Sequence, residues 1–118
     1  MAICIYIKDG HKKDGSIVDF IGAILDGVKT GETRSHKHLT RKWVGIAKNG
    51  YVYGKVLLSD PIPLRKGTPE YFNSLIEGTE YDISENETRY FYPVAACVDF
   101  RNDPKPIISN GNYGKYEE

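Results

Sequence analysis

The residues best placed to do chemistry lie in one stretch, Gly27-Val28-Lys29-Thr30-Gly31-Glu32-Thr33-Arg34. An ammonium, a carboxylate and a guanidinium are gathered where an apolar segment hands over to a polar one. On a strand, the period of two places Glu32, Arg34 and His36 on one face and Thr33, Ser35 and Lys37 on the other. With Lys29 in the preceding turn, donors, an acceptor and a cation come within reach of one ligand. Arginine suits phosphate or a planar acceptor in bidentate geometry. A glutamate accepts from an exocyclic amine such as that of cytosine. The competing expectation is that Glu32 pairs with Lys29 or Arg34 and serves structure alone.

Charge extends this stretch along the chain. Between Lys29 and Lys48 stand Lys29, Arg34, Lys37, Arg41, Lys42 and Lys48 against Glu32 alone, with His36 and His38 among them. Between Glu70 and Glu87 stand Glu70, Glu77, Glu80, Asp82, Glu85 and Glu87 with no Lys or Arg. The formal net charge of the whole chain is +0, so any phosphate attraction is local, through one basic face opposite an acidic one. Tyrosine dominates the aromatics, at 9 beside 4 Phe and 1 Trp. Aromatic faces beside cations hold single-stranded nucleic acid, which makes Trp43, Tyr51 and Tyr53 candidate stacking surfaces.

Other chemistry is weakly supported. His36 and His38 share a strand face, but no Cys or carboxylate completes a zinc spacing, and no metal or cofactor is expected. Ser16, Ser35, Ser59, Thr30 and Thr33 have no nucleophile-elbow context. Cys4 and Cys97 sit in apolar runs and read as buried free thiols, with a mutual disulfide as the minor alternative. No signal peptide opens the sequence and no apolar run nears the roughly 20 residues of a membrane span. A cytoplasmic single domain over residues 1–118 is expected.

The positioning elements follow from pattern. Ala2 to Ile7 reads as a buried strand. Ile17, Phe20, Ile21, Ile24 and Leu25 follow the helical period, with Ser16 as N-cap, Asp19 completing a capping box, and Gly27 at C′. Thr30 to Lys37 reads as a strand. Asn49-Gly50 predicts a type I′ hairpin with arms Trp43 to Lys48 and Tyr51 to Leu58. Asp60-Pro61-Ile62-Pro63-Leu64 is expected to leave the ladder. Thr68-Pro69-Glu70 opens a second helix ending near Gly78. Arg89 to Arg101 is a long strand with a bulge or edge at Pro93, and Lys105 to Ser109 a short one. The order points to α+β: a mostly antiparallel barrel with two helices outside.

Gly27-x-Lys29-x-x-Glu32-x-Arg34 after an apolar helix resembles the signature of ASCH domains, a branch of the PUA-like superfamily. Gly50-Tyr51-Val52-Tyr53-Gly54-Lys55-Val56-Leu57-Leu58-Ser59-Asp60 resembles that family's G-x-x-x-G-x-V-x-L-x-D strand, and Lys105-Pro106-Ile107 its late strand. The resemblance runs over nearly the whole chain. It implies a PUA-like barrel of five or six strands with two flanking helices, and RNA or nucleotide binding in a cleft by the Gly27–Arg34 turn. Some relatives are amidohydrolases of acetylated cytidine that use a Lys, a Thr and a Glu. Lys29 matches that Lys, Glu32 stands where the Thr would be, and Glu70 or Glu77 could be the later Glu. Others are reported as ribonucleases.

The expectation is therefore an RNA- or nucleotide-like ligand held by Lys29, Glu32 and Arg34. Lys37, Arg41 and Lys42 extend a backbone track, and Trp43 or Tyr53 supplies a stacking surface. The alternative is a hydrolase of a modified nucleoside or of RNA, with Lys29 and Glu32 catalytic. A third possibility is a protein-interaction module using the acidic 70–87 stretch.

Overall fold

Asn49 and Gly50 fix the centre of the sheet. Both have positive φ, 54° and 87°, the pair of left-handed residues that a type I′ turn requires. The hairpin arms are β5 (Trp43–Lys48) and β6 (Tyr51–Leu58), the bounds expected from the pattern. This computed structural model describes residues 1–11, 14–35, 39, 42–65, 89–111 and 113–118.

The other strands assemble around this hairpin. They are β1 (Ala2–Tyr6), β4 (Gly31–Arg34), β7 (Ile62–Leu64), β8 (Arg89–Asp99), β9 (Lys105–Pro106) and β10 (Gly114–Tyr116). The sheet order is β10-β1-β5-β6-β8-β4, with β7 on β8 and β9 on β6. The β1–β5 pairing is parallel and the others are antiparallel.

The expected barrel is not what forms. Among the described residues nothing joins β10 to β4, so the sheet stays open. The long strand β8 carries the change of partner. Its first half pairs with β4 on one side and β7 on the other, and its second half pairs with β6. The switch falls at Pro93 and Val94, where Val94 N–H turns to the Thr30 carbonyl (3.0 Å) and the Pro93 carbonyl accepts from Ser59 (2.8 Å). A proline cannot donate to a ladder, so the break sits where the sequence allows it. The Pro61–Pro63 segment does leave β6, but it joins β8 as β7 instead of leaving the sheet.

The first helix is shorter than its apolar period suggests. Ile17–Val18 is a two-residue strand, β3, paired with β2 (Gly10–His11). Helix α1 covers only Phe20–Leu25. Its N-cap is Asp19, which accepts from Gly22 N–H at 3.1 Å, and not Ser16. Its C-terminus is as expected. Gly27 has φ 77°, Gly27 N–H donates to Ile24 and Val28 N–H to Ala23. This is the Schellman pair of bonds that stops a helix and turns the chain away. The second predicted helix, near 68–78, and the acidic stretch 70–87 lie outside the described residues; among the described residues α1 is the one helix.

Two apolar clusters occupy opposite faces of the sheet, and a bulge at Tyr53 sends Val52 and Val56 of one strand to different faces. Ile5, Val44, Ile46, Val56, Leu58 and Tyr92 pack with α1 on one face. Cys4, Ala47, Val52 and Tyr116 pack on the other. Gly54 lets α1 approach the first face, since a Cβ there would lie 2.7 Å from both Leu25 Cδ2 and Val98 O. Both cysteines are free. Cys4 is buried as expected, but Cys97 is exposed, because it lies on the half of β8 whose Ala95–Asp99 side chains all face solvent.

Candidate functional site

The Schellman turn delivers Lys29 to the interior. The Ala23 carbonyl accepts from both Val28 N–H (2.9 Å) and Lys29 N–H (3.0 Å), which fixes the backbone. The Lys29 side chain is then 1% exposed, with Nζ 5.1 Å from the centroid of the Phe20 ring. A cation over an aromatic face is stabilised by the ring quadrupole. Two residues later the chain enters β4 and pairs with β8, Glu32 opposite Tyr92 and Arg34 opposite Tyr90.

Glu32 and Arg34 do share a face. Arg34 Nη2 donates to Glu32 Oε2 at 3.3 Å and, more closely, to the Tyr6 carbonyl at 2.8 Å. Glu32 Oε1 accepts from Thr33 N–H at 3.0 Å. Glu32 is 7% exposed, whereas the Arg34 side chain retains 31%. Arg34 Nε and Thr33 Oγ1 are buried with no hydrogen-bond partner among the described residues. Burial pushes the Lys29 pKa down, and the nearby Glu32 carboxylate pushes it back up by a smaller amount. The arrangement is a buried ammonium and carboxylate beneath one half-exposed guanidinium.

Of the remaining candidates, none that is described joins this group. Lys37 and Arg41, with His36 and His38, lie outside the described residues. Lys42 is exposed at the start of β5. Trp43 belongs to the opposite face of the sheet. It alternates with Val44, which is in the α1-side core, and it shares a side with Gly45, whose Cβ would meet Tyr116, Val52 and Cys4. Tyr53 is on the α1 side but in a different cleft of about 220 Å³, with Asp19, Ile21, Lys48 and Arg101.

Cations in that second cleft are already neutralised. Lys48 Nζ donates to Asp9 Oδ1 at 2.9 Å and lies 3.7 Å from Asp19. The hydrogen bond to Asp9 holds its pKa up. Arg101 is gripped by Asp99 and Asp26, each at 2.7 Å. The carboxylates around these two cations leave no surplus positive charge for an anion.

Sequence reasoning missed a third arrangement, on the opposite face. A groove of about 200 Å³ is lined by Lys55, Val98, Phe100, Lys105, Tyr116 and Glu118. Alternation along β6 signals Lys55, but Phe100 and Tyr116 reach it only through long-range pairing. Burial pushes the Tyr116 pKa up to about 12. The folded form therefore holds that proton where the unfolded chain, titrating near 10, has lost it. This contribution to stability is complete below about pH 10 and disappears as pH rises towards 12. Lys29 has the opposite sign: its depressed pKa makes stability rise with pH until the unfolded lysine titrates near 10.4. Urea midpoints measured from pH 9 to 12 should fall less steeply for Tyr116→Phe than for wild type. Parallel curves would contradict the burial of the Tyr116 hydroxyl.

Compared with family models, curated proteins and solved structures, the chain matches none. The likeness to ASCH domains rests on the quoted residues alone. Among the described residues no cluster of three or more His, Cys, Asp or Glu could hold a metal ion, and no helix is long and apolar enough to cross a membrane.

Proposed function

We propose that the protein binds RNA or a nucleotide-like ligand at β4, with Arg34 as the contact residue. The observation that carries this is the state of the Arg34 guanidinium. One terminal nitrogen is anchored by the Tyr6 carbonyl and Glu32, while the side chain is still 31% exposed. A guanidinium held in place has already lost much of its rotamer freedom, so less is lost on meeting a phosphate. The motif resemblance and the basic residues that follow β4 in sequence favour a phosphate-bearing ligand.

Lys29 and Glu32 take different roles from those expected of direct contacts. At 1% exposure Lys29 has no surface to offer, so it acts on a ligand through its field. Glu32 orients Arg34. The test is fluorescence anisotropy of a labelled single-stranded RNA at low salt. Arg34→Ala should weaken binding about tenfold, the loss of one charge-assisted hydrogen bond. Equal affinity in wild type and variant, or no binding by wild type, overturns the reading.

The hydrolase alternative needs a base that touches substrate, which Lys29 at 1% exposure does not. Turnover of acylated nucleosides by wild type, lost in Lys29→Ala, would overturn the binding-only reading.

A further inference from the structure

The face of the sheet away from Arg34 carries its own combination of rings and cations. Lys55 Nζ lies 5.4 Å from the centroid of the Trp43 ring, and Lys105 Nζ lies 5.6 Å from that of Phe100. The Phe100 and Tyr116 rings stand 6.5 Å apart at 36°. Both rings line the groove of about 200 Å³. Val98 in its lining is 44% exposed, and Trp43, beside it through Lys55, is 43% exposed.

Three properties select the occupant. The volume is below the roughly 300 Å³ at which pockets begin to hold drug-sized ligands, so it suits one planar ring system and not a folded peptide segment. Phe100 and Val98 give it an aromatic and an aliphatic wall, with Tyr116 buried behind them, which suits stacking on Phe100. The rim holds two ammonium groups, which suits an anion on each side of the ring. The carboxylate at this rim is Glu118, whose Oε1 lies 3.5 Å from Lys55 Nζ. That pair is solvent-exposed on the Glu118 side, and such pairs contribute little, so a phosphate can replace it.

We propose that this groove takes one base of single-stranded RNA, with the flanking phosphates on Lys55 and Lys105. The proposal rests on the reading of the protein as a nucleic-acid binder and adds a second contact on the other face of the sheet. It requires no chemical step.

Trp43 is the single tryptophan of the chain, so its emission reports on this face and not on Arg34. The experiment titrates the protein with a labelled oligouridylate at low salt, following Trp43 emission and probe anisotropy together. Quenching of Trp43 should saturate with the same midpoint as the anisotropy. The double variant Lys55→Ala/Lys105→Ala should weaken binding at least about tenfold. It should also reduce the slope of log affinity against log salt by about 1.4, at about 0.7 for each single-strand phosphate contact. Binding without a change in Trp43 emission, or a double variant within twofold of wild type, overturns the proposal.

Adding Arg34→Ala separates the two readings. Quenching with unchanged affinity in Arg34→Ala would keep this groove and remove the β4 site. Affinity lost in Arg34→Ala, with Trp43 emission unmoved in wild type, would do the reverse. Circular dichroism of each variant establishes that the sheet is intact.

Discussion

Glu32→Ala is expected to destabilise the protein by about 3 kcal/mol, the range found when a buried charge that offsets its neighbours is removed. The carboxylate is 7% exposed and is the nearby charge that holds the Lys29 pKa up. Without it, the Lys29 ammonium is buried with no compensating anion from Glu32, and Arg34 loses one of its two anchors. Part of the cost is recovered by deprotonating Lys29, whose pKa falls further in the variant. The loss should therefore shrink as pH rises from 7 to 10, a dependence that a simple packing defect would not produce. A double change, Lys29→Met/Glu32→Leu, should regain most of the stability, because apolar residues of similar volume carry no desolvation penalty. Urea denaturation at several pH values measures all of this. A loss under about 1 kcal/mol, the range of exposed pairs, would show that solvent screens the pair.

Tyr92→Ala should cost more, about 4 kcal/mol, as for other large aromatic truncations. Tyr92 is completely buried and stands opposite Glu32 in the ladder. It lies one residue before the point where β8 changes partners. Its hydroxyl accepts from Leu39 N–H at 3.3 Å, which ties Leu39 to the core. Tyr92→Phe keeps the ring and should cost about 1 kcal/mol for the lost hydrogen bond. Thermal melts of the two variants give the split. Equal losses would assign the effect to the hydroxyl and contradict the packing argument.

These two positions show where the sequence was legible. Features set by neighbouring residues were readable: the Asn49-Gly50 turn, both hairpin arms, the glycine stop at Gly27, and the shared face of Glu32 and Arg34. Features set by distant pairing were not. Ile17 fits the period of α1, yet it pairs with His11, and helical spacing alone cannot reveal that. The parallel β1–β5 contact and the failure of the sheet to close depend on strand order, which alternation does not encode. Cys97 stands in an apolar run but on an exposed stretch of β8. Tyr116 lies in a polar, glycine-containing tail and is nevertheless core. At the candidate site, residue types and spacing identified the group. Depth was hidden, because the same Lys29 would be a surface contact if the Schellman turn pointed it outward.

The pairing of β1 with both β5 and β10 orders assembly during synthesis. The core on the α1 side can form once Tyr92 has emerged, since its buried members all precede it. The other core needs Tyr116, which pairs with Ala2 at the opposite end of the chain. Until then Cys4, Ala47 and Val52 lie uncovered on a sheet already built on its first face. A nascent chain paused between these two points presents a sticky half-sheet with an open β1 edge, the state most exposed to strand-by-strand association with a neighbour and most dependent on a chaperone.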